Sequence, residues 1–538
     1  MIDFASLTDA WGLLFDPMVL VFMVAGVSFG IALGAIPGLT GSLGIAVMLP
    51  VAFTLDPLPG LVFLLSMYTG SMFGGALTAV LLNTPGAPAA IATTFDGYPM
   101  TRDGQALRAL GISIVASSLG GFFSSLLLLL FILPMAELAL RFGPPEMVLI
   151  AVIGLMIISA VRSESFAKTL LAGCFGFLLG TVGMTSGGVQ RGTWGSVFLI
   201  DGIPLIPALI GLFAITELFL LVRQRYVTGE LPAKGSPRSL FSGMGEAVRM
   251  PVHLARSGLI GTFVGALPAA GASIAAIVSW NEARRWAKRP ERFGKGSPEG
   301  LASAEAANSA SEDGSLATML VLGIPGSPAT AMLLGAIVMY GWVPGPRLFI
   351  DHTAILYGAL TAQLIQALLV VPLGIGFAFV ADRLVKAPTR VLVPVVAVFC
   401  VLGTFSLRNL MFDVIVMFAF GVMGYFLRKY GYPPIAVVLG LILGPIADRE
   451  FIRTYQMFGD NMVGGALQRP LTQGLLVIVV ALLALGLWRR RRAKRSGSGG
   501  GDDPVSALRQ KVVESIDDPN DSATSGDDRD DDGTSSRL

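Results

Sequence analysis

Long apolar stretches separated by short polar ones run through most of this chain. Ser113 to Leu140, Met147 to Ala160, Trp194 to Val222, Thr353 to Val380 and Leu471 to Trp488 each reach or approach the length of a membrane crossing, which takes roughly 20 apolar residues. Counting all such runs predicts an all-α polytopic membrane protein with about 10–12 transmembrane helices. Four runs are interrupted, at Gly34-Ala35-Ile36-Pro37-Gly38, Asn83-Thr84-Pro85-Gly86-Ala87-Pro88, Gly265-Ala266-Leu267-Pro268 and Gly323-Ile324-Pro325-Gly326-Ser327-Pro328. Proline lacks a backbone donor and glycine relaxes φ, so each place predicts a broken helix or a re-entrant hairpin.

The breaks are spaced as a duplicated unit would space them. Pro37 and Pro268 lie 231 residues apart, and Pro85 and Pro325 lie 240 apart. Interrupted segments at corresponding places in two halves point to a binding site at mid-membrane. The expected organisation is a first membrane repeat over residues 1–222, a basic cytoplasmic connector over 223–256, a second repeat over 257–488, and a basic anchor with an acidic disordered tail over 489–538.

Composition agrees with the membrane reading. Of 538 residues, 53% are hydrophobic and only 14% charged, against about 25% charged in soluble domains. The N-terminus lacks a basic leader and a small-residue cleavage site, so a retained first span is expected. Cys174 and Cys400 lie far apart in apolar surroundings, and His253 and His352 have no neighbouring ligand, which suggests neither a disulfide framework nor a metal site. No phosphate-binding Gly-x4-Gly-Lys-Ser/Thr motif occurs.

Charge orients the chain. Arg489, Arg490, Arg491, Arg492, Lys494 and Arg495 follow the last span and predict a cytoplasmic C-terminus. From Gly501 onward eleven acids face four bases, a composition that predicts a disordered, solvated tail. Phe53 to Leu61 holds no Lys or Arg, whereas Trp280 to Gly296 holds Arg284, Arg285, Lys288, Arg289, Arg292 and Lys295. The first loop is expected outside and the second inside, as in an inverted-topology repeat.

Broken helices offer free backbone groups. A half-helix starting after Pro37-Gly38 presents N–H groups beside Thr40 and Ser42, and the same holds after Pro85-Gly86 and after Pro325-Gly326-Ser327, with Thr330 in the first turn. Helix N-termini favour carboxylates, so Gly38, Thr40, Ser42, Asn83, Thr84, Gly86, Gly326, Ser327 and Thr330 are the candidate substrate residues. Carbonyls at the preceding half-helix ends, with Asn83 and Thr84, offer oxygens to a small cation such as sodium. Pro-Gly pairs also serve as hinges and packing points, and Gly70, Gly74, Gly75 and Gly111 read as packing stripes. Recurrence at four related places favours binding over hinges alone. In Leu301 to Gly314, Glu305 and Asn308 share a helix face. They either take part in cation or proton coupling, together with Asn83, or belong to an interfacial helix with solvated acids. Asp201, Glu217, Asp413 and Asp448 are further acids near apolar runs, with Arg191 and Arg408 as available partners.

At these residues the chain resembles the large transmembrane subunit, TctA, of the tripartite tricarboxylate transporter family. The matching stretches are Gly34-Ala35-Ile36-Pro37-Gly38-Leu39-Thr40-Gly41, Asn83-Thr84-Pro85-Gly86, Asp96-Gly97-Tyr98-Pro99, Arg191-Gly192-Thr193-Trp194-Gly195 and Gly211 to Glu217. In the second half they are Phe293-Gly294-Lys295-Gly296, Glu299-Gly300, Glu305-Ala306-Ala307-Asn308, Leu322 to Ser327 and Gly341-Trp342-Val343-Pro344-Gly345-Pro346. The likeness runs in order over roughly residues 15 to 465. Two departures stand out: Pro268-Ala269 replaces the usual Pro-Gly, and Glu305-Ala306-Ala307-Asn308-Ser309 replaces Glu-Ser-Ala-Asn-Asn.

The resemblance implies a secondary active importer of small di- or tricarboxylates in the cytoplasmic membrane, driven by a sodium or proton gradient and using no cofactor. Its implied partners are a small four-span membrane subunit and an extracytoplasmic solute-binding protein. A carrier or channel working alone is the alternative within transport. An integral-membrane enzyme or assembly factor is the alternative outside it, and it lacks a nucleophile–base pair.

Overall fold

The computed structural model describes residues 11–36, 38–161, 166–185, 187–222, 236–267, 271–385 and 389–481. The basic run after Trp488 and the acidic tail lie outside the described residues, as do Pro37 and Pro268. Apart from one short antiparallel pair, Gly183–Met184 with Gln190–Arg191, the described secondary structure is helical.

The first half contains α1 (Pro17–Gly34), α2 (Gly41–Phe53), α3 (Pro57–Leu82), α4 (Ile91–Arg102), α5 (Ala106–Ala139), α6 (Pro144–Val161), α7 (Phe166–Gly180) and α8 (Leu205–Leu221). There follow α9 (Pro237–Val248), α10 (Pro251–Gly265), α11 (Gly271–Trp286), α12 (Pro298–Leu322), α13 (Pro328–Met339), α14 (Thr353–Val385), α15 (Thr389–Arg408), α16 (Met411–Lys429) and α17 (Pro434–Phe458). Several starts share one device, a polar residue followed by proline at the first helical position. It recurs at Asp16-Pro17, Asp56-Pro57, Ser236-Pro237, Ser297-Pro298 and Ser327-Pro328, where the missing proline donor would be unpaired anyway.

Five described helices are long and apolar enough to cross a membrane: α1, α3, α5, α14 over Thr353–Ala381, and α16. Shorter apolar helices accompany them, among them α2 and α13. With 13 and 12 residues, these two span about 20 and 18 Å at 1.5 Å per residue, half a membrane each. Val21, Phe29, Phe131, Leu178 and Phe263 stand exposed on the outside of the bundle, as lipid-facing side chains do. This is a multi-pass, all-α membrane protein.

Some boundaries differ from the sequence reading. Trp194 to Val222 is not one span, because residues 194–204 form a loop and the helix begins at Leu205. Positive φ at Trp194, Gly195 and Gly202 keeps that apolar stretch irregular. Within the connector, Pro237–Val248 is a helix, packed on α5 so closely that a Cβ on Gly111 would lie 2.1 Å from the Leu240 carbonyl oxygen.

At the centre lie α3 and α12, buried along nearly their whole length. α1 crosses α3 on glycine: a Cβ at Gly30 would lie 2.3 Å from the Met67 carbonyl oxygen, and one at Gly34 2.6 Å from that of Ser71. α10 crosses α12 likewise, with Gly261 2.5 Å from the Ala307 oxygen and Gly265 2.3 Å from that of Ser311. Such approach brings backbones together, as small residues do in membrane helix pairs.

Candidate functional site

The second and fourth breaks follow the ends of these two central helices, and the first and third follow the helices that cross them. α3 ends at Asn83 with φ 56°, and α12 ends at Gly323 with φ 70°, the left-handed conformation that stops a helix. Beyond these ends the chain doubles back against the other broken helix. A Cβ on Gly86 would meet the Gly34 carbonyl oxygen at 2.3 Å, and one on Gly326 would meet that of Gly265 at 3.0 Å. The last carbonyls before the first and third breaks therefore touch the second and fourth. Gly86 and Gly326 are buried packing points as well as break residues.

Thr40 caps α2, its Oγ1 accepting from Leu43 N at 3.4 Å and lying 2.9 Å from Ser42 Oγ. Gly38 has φ 85°. The Thr84 hydroxyl donates to the Leu82 carbonyl at 3.2 Å, and Asn83 is exposed. After Pro85-Gly86 the chain forms a single 3-10 turn, Pro88–Ala90, before α4 begins at Ile91. Ser327 and Thr330 form a reciprocal capping box at the start of α13, with Thr330 N donating to Ser327 Oγ at 3.2 Å and Ser327 N to Thr330 Oγ1 at 2.9 Å. The Thr330 hydroxyl is thus committed to the cap, whereas Ser327 also meets the Tyr68 hydroxyl at 3.1 Å. Tyr68 lies beside the first break too, with its ring 3.9 Å from where a Cβ on Gly41 would be. The first and fourth breaks therefore share one side chain of α3.

The α12 acids are buried, not solvated. Glu305 and Asn308 are fully buried, and Glu312 and Asp313 are 3% and 2% exposed. Glu305 accepts from Thr93 of α4 through Oε1 and from Ser117 of α5 through Oε2, the latter at 2.8 Å. Asn308 Nδ2 donates to the Met72 carbonyl of α3 at 3.4 Å, and its Oδ1 has no partner. Among the described residues no Lys, Arg or His forms an ion pair with Glu305, Glu312 or Asp313. Glu312, Asp313, Thr69, Tyr68, Gln363 and Gln366 were missed as candidates by sequence reasoning. The available signal was that α12 carries acids at 305, 312 and 313 leading directly into the apolar run over residues 316–322.

A family model described as the tripartite tricarboxylate transporter TctA family matches residues 20–439. The chain belongs to that family. The uncharacterized 52.8 kDa protein in the TAR-I ttuC' 3' region of Agrobacterium vitis is 32% identical over 475 residues, covering 87% of this chain and 94% of the relative. An uncharacterized protein in the TAR-II ttuC' 3' region of the same organism is 31% identical over 230 residues, 41% of this chain and 94% of the relative. No solved structure matches the chain.

In this TctA-family protein the remaining motif residues hold the frame together. Arg191 pairs with Asp448 at 2.9 Å, Arg408 with Asp413 at 2.5 Å, and Glu217 with Arg428. Asp96 of α4 accepts at Oδ1 from Gly294 N, Gly296 N and Ser297 N at 2.8, 3.0 and 2.7 Å, and at Oδ2 from Trp280 Nε1 at 2.7 Å. One TctA carboxylate thus ties the first half to the loop that leads into α12. Gly211–Ile215 is a π-helical turn inside α8, where the Thr216 hydroxyl meets the carbonyls of Gly211 and Gly421 at 3.2 Å each. His352 stacks on Trp342 with ring centres 4.2 Å apart.

Proposed function

We propose that this chain is the large membrane subunit of a secondary active importer of small di- or tricarboxylates, driven by a sodium or proton gradient. It works with a small four-span membrane subunit and an extracytoplasmic solute-binding protein, in the cytoplasmic membrane with its C-terminus inside. The observation that carries this reading is the convergence of broken helices on two buried central helices, of which α12 is polar. Free helix ends inside an apolar bundle suit a carboxylate substrate, and Thr40, Ser42, Asn83, Thr84, Ser327 and the backbone near Gly38, Gly86 and Gly326 line its path.

Two features support an inverted repeat. The glycine contacts of α1 on α3 recur for α10 on α12, and the residues involved are displaced by 231 positions in one helix and 240 in the other. Basic residues also cluster by face. Arg284, Arg285, Lys288, Arg289, Arg292 and Lys295 fall at the end of the molecule where Asp96 is tied down. The loop from Phe53 to Asp56, free of bases, sits by Tyr340, whose hydroxyl donates to the Ala52 carbonyl at 2.9 Å. That asymmetry supports a cytoplasmic basic end.

The test is uptake of a labelled di- and tricarboxylate panel in cells that express the chain with its partner subunits, with sodium and proton gradients imposed separately. Gradient-dependent uptake should disappear in Gly38→Leu and Gly326→Leu while membrane levels hold. No uptake of any carboxylate under either gradient would overturn the reading.

A further inference from the structure

Two acids stand side by side in the middle of α12 with no cationic partner among the described residues. Every hydrogen bond to Glu312 and Asp313 comes from a neutral group. Thr69 Oγ1 of α3 donates to Glu312 Oε1 at 2.8 Å, and Ser125 Oγ of α5 to Asp313 Oδ2 at 3.0 Å. Gln363 Nε2 of α14 reaches both, at 3.2 Å from Glu312 Oε1 and 3.5 Å from Asp313 Oδ1. Two adjacent carboxylates removed from water repel each other, and each costs several kcal/mol to bury without a counter-charge. The pair is stable only with positive charge supplied from outside the side-chain inventory.

The surrounding atoms say what kind of charge fits. The Thr69 hydroxyl has one hydrogen, yet four acceptors lie within hydrogen-bond reach: Glu312 Oε1 at 2.8 Å, Leu65 O at 3.3 Å, and Gln363 Oε1 and Gln366 Oε1 at 3.4 Å each. One is served and Leu65 O already accepts the helical bond from Thr69 N, so the two glutamine oxygens converge there as surplus. Asn308 adds another. It lies one turn before Glu312, its Nδ2 reaches Met72 O one turn along α3 from Thr69, and its fully buried Oδ1 has no partner in that α3–α12 seam. A surplus of carboxylate, amide and hydroxyl oxygens is a donor set for a hard cation. No group of three or more His, Cys, Asp or Glu among the described residues competes for a transition metal.

We propose that Glu312 and Asp313, with Thr69, Gln363 and Gln366, bind one monovalent cation, sodium or a proton, and that this is the coupling site of the importer. As a coupling site it rests on the transport reading above; as a cation site it does not. Tyr68 is the titratable side chain that faces the pair from a neighbouring helix, close enough to feel both carboxyls. Its hydroxyl meets Ser327 at the cap of the fourth break.

The test is thermal unfolding of the full chain with its partner subunits in detergent, without substrate. Sodium is exchanged for N-methyl-D-glucamine at constant ionic strength, and pH is stepped from 6 to 8. If the cation is sodium, the wild type gains stability saturably with sodium, and Glu312→Gln and Asp313→Asn need at least tenfold more of it, while Asp448→Asn, in the Arg191 ion pair, responds as the wild type. If it is a proton, sodium has no effect, and the pH dependence of wild-type stability is reduced in both variants. Thr69→Ala, which removes no charge, should weaken either response and stands in should a carboxamide variant fail to fold. Wild-type responses in all three of Glu312→Gln, Asp313→Asn and Thr69→Ala overturn the site, as does a wild type indifferent to both sodium and pH. Cation binding without gradient-driven uptake would instead overturn the importer reading and leave the site standing.

Discussion

The Tyr68 hydroxyl of α3 lies 3.1 Å from the Ser327 hydroxyl that caps α13, across 259 residues of sequence. A buried hydrogen bond between a central helix and a break makes the cap a shared element of the two halves. Tyr68→Phe removes one partner and leaves the Ser327–Thr330 box intact, so a loss of about 0.5–1.5 kcal/mol is expected. Ser327→Ala removes the acceptor of Thr330 N as well as the Tyr68 partner, and should cost more, about 2 kcal/mol or above. Thermal unfolding of the two variants in detergent checks the order; equal stabilities would mean that the cap contributes nothing.

Matching positions in the two halves need not tolerate change equally. At Gly86 a Cβ would collide with backbone, the Gly34 carbonyl at 2.3 Å, which cannot move without shifting α1. At Gly326 the nearest atoms are the Ser315 side chain at 2.9 Å and the Gly265 carbonyl at 3.0 Å, a gap that a rotamer change and a small shift relieve. Gly86→Ala should therefore lose about 1–3 kcal/mol by overpacking and Gly326→Ala clearly less. The yield of folded protein in membranes and its melting temperature report the difference. The reverse order would show that the contacts at the second break are looser than described.

The breaks were legible in the sequence because their cause is local. A Pro without a donor and a residue that must turn left-handed, such as Asn83 or Gly323, act through their own backbone. The glycine stripes were legible for the same reason. The burial of α12 was not, since a hydropathy reading treats Glu305, Glu312 and Asp313 as seeking water. What buries them is a supply of donors from other helices: Thr93 and Ser117 for Glu305, and Thr69, Ser125 and Gln363 for the pair. Glu217 found its partner in Arg428, 211 residues away. Such partners are set by tertiary packing and leave no trace in a local window.

The Asp96 cradle makes a prediction about the basic loop. Asn at this position keeps an acceptor for the three backbone donors but turns an NH2 toward the Trp280 N–H, and Ala removes both acceptors. Each bond to a charged group is worth about 1.5–3 kcal/mol, so loop opening should become more frequent in the order Trp280→Phe, Asp96→Asn, Asp96→Ala. Lys288, Arg292 and Lys295 supply trypsin sites in or beside that loop, Arg289 being shielded by Pro290. In inside-out vesicles, cleavage over residues 287–297 should accelerate in the same order. Unchanged cleavage in Asp96→Ala would mean that the loop is held by something other than this carboxylate.

Sidedness can be measured at two exposed residues. Leu58, within the base-free loop region, is buried at 7% exposure, so a label there would report packing and not topology. Asp56 is exposed, and so is Lys288 in the basic loop. Cys174 is exposed and Cys400 buried, so both are replaced before single cysteines are placed at 56 and 288. In intact cells an impermeant maleimide should label Asp56→Cys, provided any outer membrane is permeabilised. Lys288→Cys should react only once the cytoplasmic membrane is opened. The physical basis is the six Lys and Arg residues between Trp280 and Gly296 against none between Phe53 and Leu61, a bias that retains the basic loop on the cytoplasmic side. Because α2 and α11 are the half-helices that lead into these two loops, labelling from opposite sides means that matched elements of the two halves point in opposite directions. Labelling of both from one side would make the halves parallel and remove the inverted arrangement from the transport reading.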